Sequence, residues 1–284
     1  MRRSKLPDQA PEQPPELGPR HAAVKRLREL LRDARTRSAE RAFVVEGPRA
    51  IDAALDRGAR FETVYFGPNA EVAFPALTAR VTACGSPVAV LKEGVLEKVG
   101  TTRTPQPVLG VVAMPDVHRR VLASDGLVIM GVALADPGNL GTLIRSAEAA
   151  GAAAILLGPG SVDAYNPKVV RASAGAIFGL PVVDAVSEGW SAVDALDALG
   201  ELGRQRLGAT AGADATPYPQ VDFTRPTAVV LGNEAHGLGP DLDAHLDGRV
   251  TIPMTGPAES LNVAVAGSVL CFESARQRAR GGAE

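Results

Sequence analysis

The spacing of apolar residues in the first half of the chain predicts short strands that alternate with helices. Residues 22–37 follow a helical period, because Val24, Leu27, Leu30 and Leu31 lie on one face. Apolar runs predict strands at 41–47, 61–66, 88–91 and 109–113, and helical patterns occur at 48–56 and 93–99. This alternation is typical of a small α/β domain.

The second half shows longer apolar runs. Residues 127–134 are apolar without alternation, as expected for a parallel strand that is covered on both faces. Further strands are predicted at 153–157, 178–183, 228–231 and 249–252, a helix ending near Ala150, and an amphipathic surface helix at 188–202. The last helix, Leu261 to Phe272, is apolar or small on nearly every face, so we expect it to be buried or to pack against a partner. Ser260 stands at its expected N-cap.

Two breaks in this pattern divide the chain. Residues 1–19 combine prolines with charges and lack apolar periodicity, which predicts a flexible tail. Residues 115–125 are polar, and we predict that they form a linker. The two predicted domains are therefore 20–114 and 126–284.

Composition narrows the class of protein. At 284 residues and 45% hydrophobic content, the chain can bury one large core or two modest ones. No apolar run is long enough to span a bilayer, and the N-terminus lacks a signal-peptide core, so we expect a cytoplasmic protein with no membrane partner. Cys84 and Cys271 are expected to be reduced. The histidines show no ligand spacing, so no metal site is predicted.

Charge is uneven although the formal net charge is only −2. Residues 22–41 contain seven basic and three acidic side chains, an excess that favours contact with RNA phosphates. A solvated charged face would explain the same residues equally well. The predicted RNA contacts of this segment are Lys25, Arg32, Arg35, Arg37 and Arg41.

Three stretches of small and polar residues follow or adjoin predicted buried strands. They are residues 136–145, 232–238 and 252–266. Neither G-x-G-x-x-G nor the P-loop pattern occurs, which argues against a nicotinamide cofactor. Ligands bind at strand ends in open α/β sheets, so polar residues at these positions are candidates for a site.

The three stretches read D-P-G-N-x-G-T-x-x-R, G-N-E-x-x-G and I-P-M-x-G-x-x-x-S-L-N-V-x-V-A. In order and spacing they resemble the signature motifs of the SpoU (TrmH-type) RNA 2′-O-ribose methyltransferases. Residues 41–47 are similar to part of the substrate-binding domain that precedes the catalytic domain in many of these proteins. The resemblance implies an N-terminal L30e-like α/β domain, followed by a SPOUT α/β domain with a parallel sheet and a deep trefoil knot.

The resemblance also implies S-adenosylmethionine (AdoMet) as cofactor and a homodimer whose site lies at the interface. Its motifs assign cofactor contacts to Gly232, Ile252 and Leu261, with Leu231, Met254 and Asn262 beside them. The family's catalytic arginine matches Arg145, and the other implied catalytic residues are Asn139, Glu234, Ser260 and Asn262. Lys168 and Arg171 are predicted to meet phosphate.

Side-chain chemistry limits the role of Arg145. A guanidinium normally stays charged and is a poor base, so stabilising negative charge on the ribose oxygen is its more natural task. Glu234 is expected to orient Arg145, and the three other polar residues to hydrogen-bond the ribose.

The predicted function is methyl transfer from AdoMet to a ribose 2′-hydroxyl. Ribosomal RNA is the preferred substrate, because the first domain resembles a ribosomal-protein fold, and transfer RNA is the alternative. A non-catalytic RNA- or ribosome-binding protein of the same fold is a third hypothesis. Such a protein would not need all five of the implied catalytic residues.

Overall fold

The computed structural model describes residues 14–101, 104–212, 214–233 and 237–281, and the chain forms two units, Met1–Ala113 and Met114–Glu284. The first unit is α/β, as predicted. Its strands are β1 (Glu16–Leu17), β2 (Ala42–Glu46), β3 (Phe61–Phe66), β4 (Val88–Leu91) and β5 (Val108–Ala113). Its helices are α1 (Ala22–Arg32), α2 (Ala34–Glu40), α3 (Pro48–Asp56), α4 (Ala70–Ala73), α5 (Pro75–Ala83) and α6 (Val95–Val99).

The five strands form one mixed sheet in the order β1-β4-β3-β5-β2. The prediction of a flexible tail over residues 1–19 is wrong for the last part of that range. There β1 pairs in parallel with β4, and Leu17 is buried. The amide of Val90 also donates to the carbonyl of Pro15 at 2.9 Å. An extended segment can satisfy its backbone at a sheet edge without any apolar pattern of its own. Residues 1–13 of the predicted tail lie outside the described residues.

The helix predicted over residues 22–37 is two helices that meet at Asp33. The Asp33 backbone is extended, and its carboxylate accepts from the amides of Arg35 (3.2 Å) and Thr36 (3.1 Å). The hydroxyl of Thr36 also donates to it, and this bond is the largest cause of the lowered pKa of Asp33. An aspartate that caps a second helix ends the first one, because a cap residue is not helical itself.

Arg37 is a correction to the predicted RNA surface. Its side chain is buried, with 2% of the residue exposed, and its guanidinium donates to the carbonyl of Leu30 at 2.7 Å. Leu30 lies in the last turn of α1, where carbonyls lack partners within the helix. Arg37 therefore joins the two helices and cannot present its charge to an RNA phosphate in this conformation.

The second unit carries the parallel sheet. Its strands are β6 (Val128–Gly131), β7 (Ala154–Leu157), β8 (Val182–Asp184), β9 (Gln205–Ala209), β10 (Thr216–Pro217), β11 (Thr227–Leu231) and β12 (Gly248–Thr251). Its α-helices are α7 (Pro137–Ala149), α8 (Pro167–Ala172), α9 (Ala192–Glu201), α10 (Pro240–Asp243) and α11 (Val263–Gly281). Short 3-10 turns occupy Arg119–Ala123, Ala176–Phe178 and Tyr218–Gln220.

These strands are ordered β10-β12-β9-β11-β6-β7-β8, and each described pairing is parallel. The predicted parallel sheet is therefore confirmed, whereas the trefoil knot stays a prediction. Strand β9 was not predicted, because Gln205-Arg206-Leu207-Gly208-Ala209 contains no apolar run. It nevertheless lies between β11 and β12, and Arg206 pairs with Asp247 at 2.7 Å. Tertiary pairing overrides local pattern here.

Part of the predicted linker, residues 115–125, is packed into the second unit. Leu122 is fully buried in the core of that unit. The buried guanidinium of Arg204 donates to the carbonyls of Leu122 (2.6 Å), Gly126 (2.8 Å) and Ser124. This polar segment is therefore held in the second unit by the burial of Leu122 and by the hydrogen bonds from Arg204 to its carbonyls.

Helix α11 differs from the predicted helix at both ends. It begins at Val263 and continues to Gly281, and its N-cap is Asn262 rather than Ser260. One face packs inward, and a Cβ added at Gly267 would lie 2.5 Å from a Leu143 side-chain carbon, so glycine permits the close approach to α7. The opposite face stays exposed. Within the described ranges, no helix combines the length and apolar character that a bilayer crossing requires.

Candidate active site

A cavity of about 780 Å³ lies at the carboxyl ends of β9, β11 and β12 in the second unit. Residues 208–211, 231–233 and 237–240 line it, together with Ile252 and Met254. The start of α11 closes a further side. Carboxyl ends of parallel strands meet at one edge of a sheet, so loops that are distant in sequence converge there.

The six predicted cofactor positions all line this cavity. They are Leu231, Gly232, Ile252, Met254, Leu261 and Asn262. Ser260 lines it too. The lining mixes apolar side chains with exposed backbone at strand ends, and its volume lies within the range of cofactor pockets. These groups fit the adenosyl part of AdoMet, which is flat, apolar on its faces and able to hydrogen-bond to backbone at its edges.

Asn262 connects the cavity to α7. Its Oδ1 accepts from the amides of Ala264 (2.9 Å) and Val265 (3.2 Å), which caps α11. Its Nδ2 donates to Oδ1 of Asn139 at 2.9 Å. Asp136 caps α7, accepting from the Asn139 amide at 2.8 Å, so the Asn139 side chain is not needed as the cap. The Asn139 side chain is directed to α11 instead.

A second polar contact joins the same two helices farther along. The hydroxyl of Ser268 donates to that of Ser146 at 2.7 Å. Arg145 precedes Ser146, is exposed, and is not among the described residues that line the cavity. Arg145 is therefore open to solvent next to the α7–α11 contact. Glu234 lies outside the described residues.

Gly232 is implied to contact the cofactor, and a glycine could serve there by letting a ligand approach the backbone. A Cβ at this position would instead lie 2.4 Å from the backbone carbon and oxygen of Gly237 and 2.8 Å from the amide of Leu238. The chain returns past Gly232 at this point, since the Gly237 amide donates to the carbonyl of Asn233 at 2.9 Å. Glycine is required by the loop itself.

Sequence reasoning missed several lining residues. Thr210 follows the unpredicted strand β9, so no signal placed it at the site. Asp243 and Arg249 are the charged side chains of the described lining, and they form an ion pair with Nε to Oδ1 at 3.0 Å. The hydrogen bond to Asp243 is the main cause of the raised pKa of Arg249. Asn233 also lines the cavity; it belongs to the second motif, but the resemblance implies no role for it.

The basic residues that were predicted to contact RNA differ in exposure to solvent and lie in both units. Lys25, Arg32, Arg35 and Arg41 are exposed in the first unit, unlike Arg37. In the second unit Lys168 and Arg171 are exposed on α8, which packs closely on α7 because Gly141 faces Ala172. No group of three potential metal ligands occurs among the described residues.

Both units match known protein families. Residues 126–272 match the SpoU rRNA Methylase family, and residues 21–110 match the MRM3-like substrate binding domain. The chain is 33% identical over 268 residues to a 23S rRNA (uridine(2479)-2′-O)-methyltransferase of Streptomyces viridochromogenes, with 92% of each chain covered. This chain belongs to the SpoU rRNA methylase family. The resemblance of its three motifs is thereby confirmed.

Other SpoU relatives cover nearly the whole chain. It is 32% identical to the 23S rRNA (guanosine(2553)-2′-O)-methyltransferase RlmP of Bacillus subtilis, over 85% of this chain and 92% of that one. An AdoMet-bound rRNA methyltransferase from Sinorhizobium meliloti has a TM-score of 0.78 at 28% identity, covering 93% of this chain and 98% of its own. AviRb from Streptomyces viridochromogenes, in complex with AdoMet, has a TM-score of 0.78 at 28% identity and covers 92% of this chain and 99% of its own.

Proposed function

We propose that this SpoU protein transfers the methyl group of AdoMet to a ribose 2′-hydroxyl of ribosomal RNA. The observation that carries the proposal is the cavity at the strand ends, whose lining contains all six predicted cofactor positions. The relatives named above as 23S rRNA 2′-O-methyltransferases, and the two similar structures that contain AdoMet, support the same reaction.

When bound, AdoMet supplies an activated methyl group on a sulfonium centre. That chemistry would join the methyl carbon to the ribose 2′-oxygen in exchange for its bond to sulfur, with the electron pair of the broken bond kept by sulfur. The proton of the hydroxyl would pass to solvent water, because the Arg145 guanidinium is a poor base. The protein must therefore position two atoms, and positioning can supply several kcal/mol of the barrier, up to about 7–11.

Residues of this chain divide these tasks. Leu231, Ile252 and Met254 give the cavity an apolar wall that excludes water. Asn139 and Asn262, hydrogen-bonded to each other, hold the neighbouring helices at the mouth of the site and offer polar groups to the ribose. Arg145 keeps its charge and stabilises negative charge as it develops on the 2′-oxygen. Glu234 orients Arg145 in this proposal.

The first unit supplies RNA affinity in this proposal. Its cations Lys25, Arg32, Arg35 and Arg41 are exposed and would neutralise phosphates, as would Lys168 and Arg171 in the second unit. The match to the MRM3-like substrate binding domain over residues 21–110 supports this division of labour. The cytoplasmic location expected from the sequence stays a prediction.

A homodimer is also part of the proposal. Val265 and Phe272 are exposed by 46% and 52% on α11, and Leu261, just before the helix, is exposed by 36%; exposed large apolar side chains close together are typical of an interface. A partner seated there would lie beside the cavity mouth. Light scattering at micromolar concentration should give twice the 29.4 kDa chain mass, and a species at 29.4 kDa would contradict the dimer.

Methyl transfer from tritiated AdoMet tests the reaction and the substrate together. RNA should be isolated from a strain that lacks the gene, so that the target is unmodified, and ribosomal and transfer RNA should be offered separately. We expect label in ribosomal RNA alone, in dinucleotides that resist alkaline hydrolysis because the 2′-oxygen is blocked. Label in transfer RNA only, or on a base, would contradict the proposal.

A further inference from the structure

The turn between β6 and α7, residues 132–135, contains a strained residue. Ala133 has φ of +52°, in the left-handed region that a residue with a Cβ rarely adopts. Strain of this kind persists only where the surrounding structure holds it. The turn leads directly into α7, which carries Asn139 and Arg145. Its conformation therefore sets where that helix begins.

Two groups of contacts hold this β6–α7 turn from opposite sides. On one side, the hydroxyl of Ser161 accepts from the amide of Leu134 (3.2 Å) and donates to the carbonyl of Gly131 (3.3 Å). The amide of Ala133 donates to the carbonyl of Pro159 at 3.3 Å. On the other side, Nδ2 of Asn233 donates to the carbonyl of Ala133 at 3.1 Å.

Of the side chains that make these contacts, Asn233 also lines the cavity. It follows β11, which neighbours β6 in the sheet. Strands β7 and β8 extend the sheet to one side of this pair and β9 and β12 to the other, so the bond from Asn233 to Ala133 crosses the point where the strand order reverses. Ligands of open α/β sheets bind outside this point.

We infer that Asn233 is a positioning residue that couples occupancy of the cavity to the β6–α7 turn, and through it to Arg145. A ligand that contacts Asn233 favours the side-chain orientation that donates to Ala133, and thereby favours the strained turn over relaxed alternatives. A ligand shifts such an equilibrium only by its differential affinity for the two states, and contact with Asn233 supplies that difference. The inference rests on the proposed function, since it takes the cavity as the cofactor site.

Two matched variants separate coupling from simple support. Asn233→Ala removes the contact that reaches the cavity, whereas Ser161→Ala removes contacts to the same turn from a residue that is not among the described lining. Amide hydrogen exchange at Ala133 and Leu134 is measured with and without S-adenosylhomocysteine. In the wild type we expect the ligand to slow exchange by about tenfold. Ser161→Ala should raise exchange in both states but keep this response, and Asn233→Ala should abolish it.

Kinetics give the second readout. Asn233→Ala should lower kcat by about tenfold or more, and the affinity for AdoMet, measured by calorimetry, should fall by no more than the roughly tenfold difference that contact with Asn233 supplies. Asn233→Asp, which has the same shape but no amide donor, should behave like Asn233→Ala. A ligand response that survives in Asn233→Ala would overturn the inference. So would a Ser161→Ala variant that loses both the response and kcat to the same degree, because support alone would then explain both.

The exchange experiment is independent of catalysis, so it distinguishes two kinds of failure. If Arg145→Ala methylates RNA normally while the exchange response still depends on Asn233, the proposed role of Arg145 is wrong and the coupling stands. If the ligand binds but slows exchange nowhere in residues 131–134 of the wild type, the coupling is wrong whatever the activity.

Discussion

The cavity of the second unit and the basic surface of the first unit are formed by different kinds of groups. The cavity is lined mainly by backbone at strand ends and by apolar side chains, and its charged pair, Asp243 and Arg249, is internally neutralised. The basic surface depends on long exposed side chains such as Arg32 and Arg35. A site lined by backbone is fixed by the topology of the sheet. A charged surface, in contrast, presents only those side chains that are not engaged in hydrogen bonds or ion pairs within the fold.

The first unit shows how the fold uses such charges. Arg37 is buried against Leu30, and Arg26 pairs with Glu40 at 2.5 Å and with Glu62 at 2.8 Å. Arg37 is therefore not available to RNA in this conformation, and the charge of Arg26 is balanced by two carboxylates. The comparison implies that cofactor binding should depend little on salt, while RNA binding should depend on it strongly.

The largest effect is expected from Arg145→Ala, which tests whether the chemistry lies outside the cavity. Turnover should fall by roughly a hundredfold or more, the usual scale for losing one preorganised charge, while AdoMet affinity stays nearly constant. Single-turnover methylation and calorimetry measure the two quantities. Arg145→Lys keeps the charge but not the planar fork, so partial rescue would indicate an electrostatic role. Lost cofactor binding with normal single-turnover methylation would make Arg145 a cofactor or structural residue.

Gly232→Ala tests whether the cavity depends on backbone geometry. The new Cβ would lie 2.4 Å from the Gly237 backbone, so the returning loop must shift, and AdoMet affinity should fall by about tenfold or more. Gly256→Ala is the matched control, because no atom lies within 4 Å of a Cβ there. Calorimetry on both variants should show weakened binding in the first alone. Equal affinities would mean that the loop yields without disturbing the cavity.

Reversal of Arg32 and Arg35 to glutamate tests the surface. RNA affinity should fall, and the slope of log K against log salt should flatten by about two units, roughly one for each lost phosphate contact. AdoMet affinity should not change. Arg80→Ala is the control, because this exposed arginine is already paired with Asp52 (2.7 Å) and Asp56 (2.6 Å). A salt slope that stays the same after the double reversal would place the RNA elsewhere.

Glu273→Gln is expected to have the smallest effect, and it tests whether paired charges serve stability alone. Hydrogen bonds from Arg276 and Gln277 lower the pKa of Glu273, those of Arg276 most. Its carboxylate therefore stabilises the fold above its ordinary pKa of 4.5, and this contribution is lost as pH falls through the lower folded value. The variant should lose on the order of 1 kcal/mol at pH 7 and approach the wild type in acid.

Denaturation followed by fluorescence of Trp190, the single tryptophan, measures that difference in the second unit. A gap in unfolding free energy that stays constant down to pH 3 would show that the ionised carboxylate is not its source.

Much of this architecture was predictable from sequence, and the reasons for the gaps are physical. Apolar runs identified strands such as Val128–Gly131 and Thr227–Leu231, because buried parallel strands leave a continuous signal. Strand β9 left none, since Arg206 is satisfied by an aspartate 41 residues away. Pattern can show that a segment is apolar, but it cannot show that a distant partner makes a polar segment suitable for a sheet.

The site followed the same rule. Motif positions such as Gly232 and Met254 line one cavity because the strands before them, β11 and β12, end at the same edge of one parallel sheet, with β9 between them. The N-cap of α11 was predicted at Ser260 but is Asn262. Both residue types cap helices well, and only the backbone conformation decides between them. Asn233 was passed over because its partner, the carbonyl of Ala133, is 100 residues away and carries no side-chain signal.

Arg204 has a consequence for synthesis of the chain. The carbonyls that it satisfies at Leu122, Ser124 and Gly126 lie 78 to 82 residues earlier in the sequence. A growing polypeptide therefore exposes the segment at the start of the second unit long before its anchor has been translated. The strand pairings of the first unit join residues within 14–113, so they can form earlier. The carbonyls at Leu122, Ser124 and Gly126 lack their arginine partner until Arg204 has left the ribosome.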